Sequence, residues 1–174
     1  RLLIQQQAKD KRFLNLFAYT GSATVHAAIG GAASSVTVDM SNTYVDWARR
    51  NFVLNGIRGD HQLVRANCLQ CLVEQADAKQ KPQFDLIFLD PPTFSNSKKM
   101  DEVFDIQKDH VPLIRNAATL LAPGGTLYFS TNSRRFKMDQ EALTDLTIED
   151  ISRKMIPEDF ARDAKIHYCW RISR

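Results

Sequence analysis

The sequence has 174 residues, enough for one domain with its own hydrophobic core. Apolar residues make up 44% of it and charged residues 25%, as in ordinary soluble proteins, and no apolar run approaches the ~18 residues that a membrane-spanning helix needs. The net charge of +3 is compatible with an RNA partner but does not establish one.

The first part of the chain alternates between helical and extended patterns. Apolar spacing and β-branched content predict a helix over 1–11, a strand over 12–17, a helix over 23–33, a strand over 35–39, and a weaker strand over 61–66. Between the last two strands, Ser41 or Asn42 can cap a helix that ends at Asn55 and Gly56.

The alternation continues to the end of the sequence. The patterns predict a helix over 69–77, a strand over 84–89, a long helix over 100–121 that the segment 123–125 terminates, a strand over 126–130, a helix over 139–146, and strands over 151–156 and 166–172. Strands that alternate with helices indicate an α/β fold, with a mainly parallel sheet covered by helices on both faces. We expect residues 1–174 to form a single domain.

The start of the chain and its three cysteines bear on the cellular compartment of the protein. The first residues carry no signal-peptide pattern, and an odd number of cysteines suits a reducing cytoplasm. Because the chain does not begin with Met, we expect it to be a fragment of a longer protein. Cys68 and Cys71 have C-x-x-C spacing, but only Cys169 and scattered histidines remain as further ligands. We therefore predict structural thiols and no metal site, with zinc binding or a redox pair as alternatives.

The residues at the predicted strand ends indicate a nucleoside site, because ligands of such sheets bind beyond the carboxyl ends of the strands. Gly21, in the turn 17–21, allows the backbone to approach a ligand closely. Asp39 ends the second strand, where a carboxylate can accept hydrogen bonds from two ribose hydroxyls. Asn67, after the third strand, can meet an adenine edge. Each feature alone has a structural alternative, such as helix capping by the acid, so their order and spacing carry the prediction.

The dinucleotide fingerprint G-x-G-x-x-G is absent, since only Gly21 stands in the first turn. A pyrophosphate-binding turn is therefore disfavoured, and a nucleoside without phosphates, of which S-adenosylmethionine is the common one, fits better. The missing glycines also disfavour an NAD-dependent oxidoreductase, as does the lack of a Tyr–Lys or His proton relay in the expected loops.

Several segments resemble bacterial 23S rRNA methyltransferases of the RlmI/RlmKL group. The segment 15–22, Asn-Leu-Phe-Ala-Tyr-Thr-Gly-Ser, resembles their first motif, and 90–97, Asp-Pro-Pro-Thr-Phe-Ser-Asn-Ser, resembles their fourth. The segments 130–136 and 166–170 are similar to the C-terminal half of the members that carry two guanine methyltransferase domains. The likeness covers essentially the whole chain.

The resemblance implies a Rossmann-like class I methyltransferase fold with a seven-stranded sheet whose last strand is antiparallel. It implies S-adenosylmethionine as cofactor, S-adenosylhomocysteine as product, and N7 of a guanine in 23S rRNA as methyl acceptor. An RNA-binding module and a second methyltransferase domain are implied upstream. The predicted cofactor residues are Asn15, Phe17, Ala18, Tyr19, Thr20, Gly21, Asp39, Met40, Ser41, Asn67, Cys68, Leu69 and Asp90.

The methyl acceptor is expected to lie against the segment 90–94. Guanine N7 has a lone pair and no proton, so its attack on a methyl group needs positioning rather than a general base. Asp90 is predicted to accept hydrogen bonds from the base, Pro91 and Pro92 to fix the backbone, and Phe94 to stack on the base. The alternatives are a structural or helix-capping role for Asp90 and simple packing for Phe94.

The remaining polar residues near these loops are less specific. A basic cluster is predicted to neutralise RNA phosphates, with solvated loop charges as the alternative; it consists of Lys98, Lys99, Arg134, Arg135 and Lys137. The loops 93–95 and 130–132, which follow the fourth and fifth predicted strands, contain no cysteine. This argues against C5 methylation of cytosine, which proceeds through a covalent adduct with a cysteine. The four histidines, His26, His61, His110 and His167, lack metal-ligand spacing and are predicted to be surface or packing residues.

Two rival functions stay open at this stage. One keeps the fold and moves the methyl group to an exocyclic amine, N2 of guanine or N6 of adenine, because a proline pair after the acid also occurs in such enzymes. The other is a non-catalytic module that binds RNA or the cofactor.

Overall fold

The structure is a computed structural model, and it describes residues 1–95, 104–156, 162–163 and 166–174. The strands are β1 (Arg12–Leu16), β2 (Ser34–Asp39), β3 (His61–Arg65), β4 (Phe84–Leu89), β5 (Phe94–Ser95), β6 (Phe104–Asp105), β7 (Leu121–Thr131), β8 (Thr147–Asp150) and β9 (Tyr168–Ser173). The helices are α1 (Leu2–Gln7), α2 (Ser22–Ile29), α3 (Asn42–Leu54), α4 (Cys68–Asp77), α5 (Ile106–Thr119) and α6 (Ser152–Met155), with a 3-10 turn at Glu141–Leu143.

Seven strands form one sheet in the order β3-β2-β1-β4-β7-β9-β8. The strands from β3 to β7 pair in parallel, and β9 is antiparallel to both of its neighbours. The predicted mainly parallel, seven-stranded sheet with an antiparallel last strand is therefore confirmed. The direction of strand addition reverses between β1 and β4, so the carboxyl ends of these two strands flank the switch point, where ligands bind in such sheets.

Each face of the sheet packs on its own apolar core. Neighbouring residues of β4 point to opposite cores: Leu86 joins the core on the α1 and α2 side, and Ile87 joins the core on the α4 and α5 side. This is the period of two that strand geometry imposes. The prediction of helices on both faces is confirmed by this arrangement. Within the described ranges, no helix is long and apolar enough to cross a membrane.

The predicted long helix over 100–121 is wrong at both ends. Residues 100–103 lie outside the described part of the chain, but residues 104 and 105 form the strand β6 where a helix was predicted. The helix α5 begins at Ile106, where the Asp105 side chain caps it by accepting a hydrogen bond from Gln107 N at 2.9 Å. The helix ends before Leu121, which already belongs to β7. The segment 123–125 therefore does not terminate a helix. It lies within β7, where the pairing with β4 shifts register and accommodates a glycine with φ of 73°.

The C-terminal third of the chain holds two further corrections. The helix predicted over 139–146 is only the 3-10 turn at Glu141–Leu143, and the strand predicted over 151–156 is the helix α6. The sequence pattern missed β8, a four-residue strand at the edge of the sheet, whose one partner among the described strands is β9. The side chain of Asp150, which ends β8, accepts a hydrogen bond from Ser152 N at 2.8 Å and starts α6 there.

Three predicted elements near the N-terminus are also longer than the elements observed. The helix predicted over 1–11 spans Leu2–Gln7, and the helix predicted over 23–33 spans Ser22–Ile29, because Gly30 caps it and Gly31 turns the chain with φ of 86°. The first strand ends at Leu16, since Phe17 adopts φ of 56° and cannot continue it.

Candidate functional site

A cavity of about 360 Å³ opens at the carboxyl ends of the parallel strands, beside the switch point. Its lining comes from the loops after β1, β2, β3 and β4, together with the last residue of β2, the first turns of α3 and α4, and one residue of β6. The lining residues are Phe17, Tyr19, Asp39, Met40, Ser41, Tyr44, Asn67, Cys68, Leu69, Asp90, Pro92 and Phe104. The structure thus brings most of the predicted cofactor residues together around one space.

The turn after β1 is held in an unusual backbone conformation. Phe17 and Tyr19 have φ of 56° and 51°, in the left-handed region that is costly for residues with a side chain. Two hydrogen bonds hold them: Phe17 N donates to Cys68 Sγ at 3.2 Å, and Tyr19 N donates to Asp39 Oδ2 at 2.9 Å. The end of β2 and the start of α4 therefore fix the shape of this turn.

Asp39 is fixed by backbone groups on both of its oxygens. Oδ2 accepts from Tyr19 N and Oδ1 accepts from Ser41 N, each at 2.9 Å. A carboxylate oxygen has two lone pairs, so each oxygen keeps one acceptor position for a ligand in the cavity. Among the described residues no salt bridge involves Asp39, so the carboxylate suits two vicinal hydroxyls of a ribose.

Gly21 ends the turn at a point of close contact with α3. Its φ is 69°, and a Cβ placed on it would lie 2.8 Å from the Cβ of Ala48. Gly56 has a similar φ of 63°, but a Cβ there would meet nothing within 4 Å. The two glycines share the backbone requirement and differ in the space around them.

This pair allows the contact to be tested apart from backbone strain. We expect Gly21→Ala to lower the free energy of unfolding by ~1–3 kcal/mol more than Gly56→Ala, because only the first substitution overpacks a buried site. Urea denaturation of both variants measures the difference. Equal losses of stability would mean that the turn does not press on α3.

The loop after β3 contributes one capping residue and one buried thiol. Asn67 Oδ1 accepts a hydrogen bond from Leu69 N at 3.0 Å and caps α4, while the residue also lines the cavity. Cys68 Sγ lies 3.4 Å from Val38 O, to which it donates, and burial raises its pKa to about 12. A thiol of this kind stays protonated at neutral pH and is not a nucleophile. Cys68 therefore links the end of β2 to the turn at Phe17 through two hydrogen bonds.

Among the residues that the structure describes, the cysteine pair forms neither a disulfide nor part of a metal site. Cys68, Cys71 and Cys169, all within the described ranges, carry free thiols. In the same part of the chain, no group of three or more His, Cys, Asp or Glu side chains could hold a metal ion.

Asn15 and three residues of the turn do not line the cavity. Asn15 is 1% exposed, and its Nδ2 donates to Thr24 Oγ1 at 3.0 Å, which in turn lies 2.7 Å from Thr37 Oγ1. This buried network joins β1, α2 and β2 behind the turn, and the structure places Asn15 within it rather than on the cavity wall. The turn residues outside the lining are Ala18, Thr20 and Gly21.

The side of the cavity after β4 carries the second carboxylate. Asp90 lines the cavity, and its Oδ1 accepts a hydrogen bond from Ser130 Oγ at 2.6 Å. Pro92 also lines the cavity, whereas Pro91 is buried and is not part of the lining. Phe94 is 55% exposed, pairs through β5 with β6, and is not part of the lining.

Tyr44 and Phe104 line the cavity but were not predicted as site residues. Tyr44 stands three residues after the helix cap at Ser41. Its position shortly after the end of β2 is a sequence signal that could have placed it at the site. Its ring meets the ring of Tyr19 edge-on, with centroids 4.5 Å apart. Phe104 falls inside the helix predicted over 100–121, so nothing in the sequence indicated that it would line the site.

The predicted basic cluster is only partly described. Arg134 is paired with Asp163 through two hydrogen bonds of 2.7 and 3.2 Å, so its guanidinium already has a carboxylate partner. Arg135 and Lys137 are exposed. The cluster members that lie outside the described residues are Lys98 and Lys99.

Comparisons with known proteins agree with this geometry. A family model described as S-adenosylmethionine-dependent methyltransferase matches residues 1–161. The chain is 55% identical over 175 residues to the ribosomal RNA large subunit methyltransferase K/L of Pseudoalteromonas atlantica, covering 99% of this chain and 24% of that protein. It is 57% identical over 173 residues to the protein of the same name from Methylococcus capsulatus, covering 99% of this chain and 23% of the relative. The chain thus spans about a quarter of the length of these relatives.

Solved structures show the same fold. The structure of SMU.776 complexed with SAH matches with a TM-score of 0.82 at 26% identity, covering 99% of this chain and 47% of that one. The ribosomal protein L11 methylase of Lactobacillus delbrueckii matches with a TM-score of 0.68 at 20% identity, covering 99% of this chain and 75% of that one, which shows the fold alone. The chain belongs to the S-adenosylmethionine-dependent methyltransferase family, and S-adenosylmethionine is its cofactor.

Proposed function

We propose that this chain is the methyl-transferring domain of a larger ribosomal RNA methyltransferase, and that its acceptor is N7 of a guanine in 23S rRNA. The observation that carries the proposal is the pair of fixed carboxylates, Asp39 and Asp90, on one cavity. The relatives named for the large ribosomal subunit RNA, 55–57% identical over nearly the whole chain, support an rRNA substrate. On this proposal, 23S rRNA and further domains of the same chain are its partners, and its place is the cytoplasm.

The cavity suits a nucleoside joined to an amino acid. Its volume of about 360 Å³ lies within the range of small-molecule sites. Asp39 offers two acceptor positions to the ribose hydroxyls, and Asn67 stands where an adenine edge can reach it. Met40 and Leu69 supply apolar surface to the adenine ring. When bound, the cofactor supplies a methyl group carried on a positively charged sulfur.

The task of the protein is then to hold the acceptor base in line with that methyl group. Asp90 has one oxygen held by Ser130 Oγ, and its remaining acceptor positions can meet the N1–H or the amino group of a guanine. Because N7 carries no proton, no residue has to act as a base, and rate depends on alignment. Phe94 is exposed and stands two residues after Pro92, which lines the cavity; its proposed role is to stack on the base. The proposed role of Pro91 and Pro92 is to keep this loop rigid.

Methylation of an exocyclic amine is the second candidate, favoured by the same Asp90-Pro91-Pro92 segment. A carboxylate beside an exocyclic amine could orient that amine toward the methyl group, just as it could orient the ring so that N7 faces the methyl group. The two candidates differ in the nucleoside that the reaction produces.

The test identifies the methylated atom through loss of one product. The full-length protein and its Asp90→Asn variant are each incubated with S-adenosylmethionine and unmodified 23S rRNA transcript, and the digested nucleosides are analysed by mass spectrometry. We expect 7-methylguanosine to form with the unaltered protein and to disappear with Asp90→Asn, whatever other domains of the chain produce. The matched control is Asp85→Asn, at the opposite end of β4, where the carboxylate pairs with Arg12.

The other outcomes contradict the proposal at different levels. Loss of N2-methylguanosine or N6-methyladenosine in Asp90→Asn would replace N7 by an amine as the acceptor. A nucleoside pattern unchanged by Asp90→Asn would mean that this chain does not methylate the transcript, as a non-catalytic module would not.

A further inference from the structure

Four polar residues form a row across three neighbouring strands at the edge of the cavity. Asp90 and Ser130 follow the paired residues Leu89 and Phe129 of β4 and β7. Asn132 and His167 stand opposite each other, one residue beyond the last pair of β7 and β9. Side chains of a strand alternate between faces, so these residues point to the side of the sheet that packs on α1 and α2.

The His167 ring is oriented by one hydrogen bond. Its Nδ1 lies 2.9 Å from Asn132 Oδ1, and an amide oxygen can only accept. Nδ1 therefore carries the proton, which leaves Nε2 with a lone pair. In the described part of the chain, no hydrogen bond to this Nε2 is observed.

The surroundings of His167 favour the neutral ring. Burial lowers the pKa of His167, and the smaller, opposite influence is the charge of Asp90. By the strand register, Asp90 and the imidazole stand on the same face and at the same edge of the sheet, at the ends of the two strands that flank β7. At neutral pH the row thus presents two hydrogen-bond acceptors, the free acceptor positions of Asp90 and Nε2 of His167.

Two acceptors on one face of the same sheet edge match one base better than the others. The Watson–Crick edge of guanine carries two adjacent donors, N1–H and the amino group, whereas adenine offers a donor beside an acceptor. Unpaired bases are commonly recognised through this edge. We propose that His167, oriented by Asn132, contacts the target guanine and accepts a hydrogen bond from its Watson–Crick edge beside Asp90. This inference rests on the proposed function, since it names a residue that holds the acceptor base.

The test compares three variants of the full-length protein on unmodified 23S rRNA transcript. His167→Ala is expected to lower kcat/KM for the Asp90-dependent product by about 10-fold to 100-fold, the loss typical of one buried hydrogen bond. His167→Gln, whose amide oxygen can replace Nε2 as acceptor, is expected to recover part of that loss. Asn132→Ala is expected to lower kcat/KM less than His167→Ala, because it only frees the ring.

Further measurements separate contact with the base from a structural role. Binding of S-adenosylhomocysteine should stay within about twofold in each variant, because neither residue lines the cavity, and added imidazole should partly restore His167→Ala. The matched control is His61→Ala, whose ring bonds Ser35 at 2.9 Å at the amino end of the sheet; it should leave kcat/KM unchanged.

Each result bears on the inference separately from the proposed function. Wild-type kcat/KM in His167→Ala would overturn the inference while leaving an Asp90-dependent methylation intact. A loss that neither His167→Gln nor imidazole reverses would assign His167 a structural role and would also overturn it. Failure of the proposed function shows instead in the unaltered protein, as absence of an Asp90-dependent methylguanosine.

Discussion

Asp39→Asn is expected to raise the Kd for S-adenosylhomocysteine about 100-fold. Hydrogen bonds to a charged group contribute ~1.5–3 kcal/mol each, and the carboxylate has an acceptor position for each ribose hydroxyl, so a loss of ~3 kcal/mol corresponds to this factor. The asparagine would also turn an NH₂ group toward a backbone N–H of Tyr19 or Ser41, which now donate to Asp39. The substitution therefore weakens the turn as well as the contact.

Isothermal titration calorimetry with S-adenosylhomocysteine measures this effect without any RNA. The matched control is Asp46→Asn, on the exposed side of α3, where the carboxylate pairs with Arg49 and does not line the cavity. Asp46→Asn should bind with unchanged Kd. If Asp39→Asn bound within about threefold of the unaltered protein, the ribose assignment to Asp39 would be wrong.

The strained turn gives a reason why binding should depend so strongly on one carboxylate. Phe17 and Tyr19 occupy left-handed conformations that cost of order 1–3 kcal/mol each and persist only where neighbours hold them. Asp39 and the protonated thiol of Cys68 supply the hydrogen bonds that hold them. The cavity wall is thus shaped before a ligand arrives, which reduces the ordering cost of binding.

The cavity lining was largely predictable because it follows from local signals. Asp39 and Asp90 each end a strand whose apolar pattern is legible by itself, and parallel strands bring their carboxyl ends to one edge. Local signals did not show that the side chain of Asn15 lies away from the cavity. It donates a hydrogen bond to Thr24, nine residues further along the chain, and the hydroxyl of Thr37 completes the network.

What could not be predicted depends on pairing across long stretches of chain. The strand β8 has one partner, and its charged residues Glu149 and Asp150 give no apolar alternation to read. The segment 123–125 looked like a helix stop because proline and glycine usually end helices, yet here it occupies an irregular stretch of β7. His167 and Asn132 are 35 residues apart, and only the antiparallel register of β9 brings them together.

Asp90→Asn is expected to slow methyl transfer about 1,000-fold, because alignment by a fixed group is the main contribution a protein makes to this reaction and small misplacements cost large factors. The carboxylate is held by Ser130 Oγ and offers only acceptors, whereas an asparagine also presents an NH₂ group. On the proposed function, that NH₂ group would face the donors on the Watson–Crick edge of guanine, so the variant would repel the acceptor base.

Single-turnover rates with saturating S-adenosylmethionine and 23S rRNA transcript measure the loss for the Asp90-dependent product. Ser130→Ala should lose less, about 10-fold, since it removes one hydrogen bond that orients Asp90 and leaves the charge in place. Asp85→Asn, on the same strand, should keep the full rate. Because the ribose is assigned to Asp39 and not to Asp90, Asp90→Asn should weaken binding of S-adenosylhomocysteine far less than Asp39→Asn does. A variant that lost cofactor binding and rate in equal measure would place Asp90 with the cofactor and leave the base without its carboxylate.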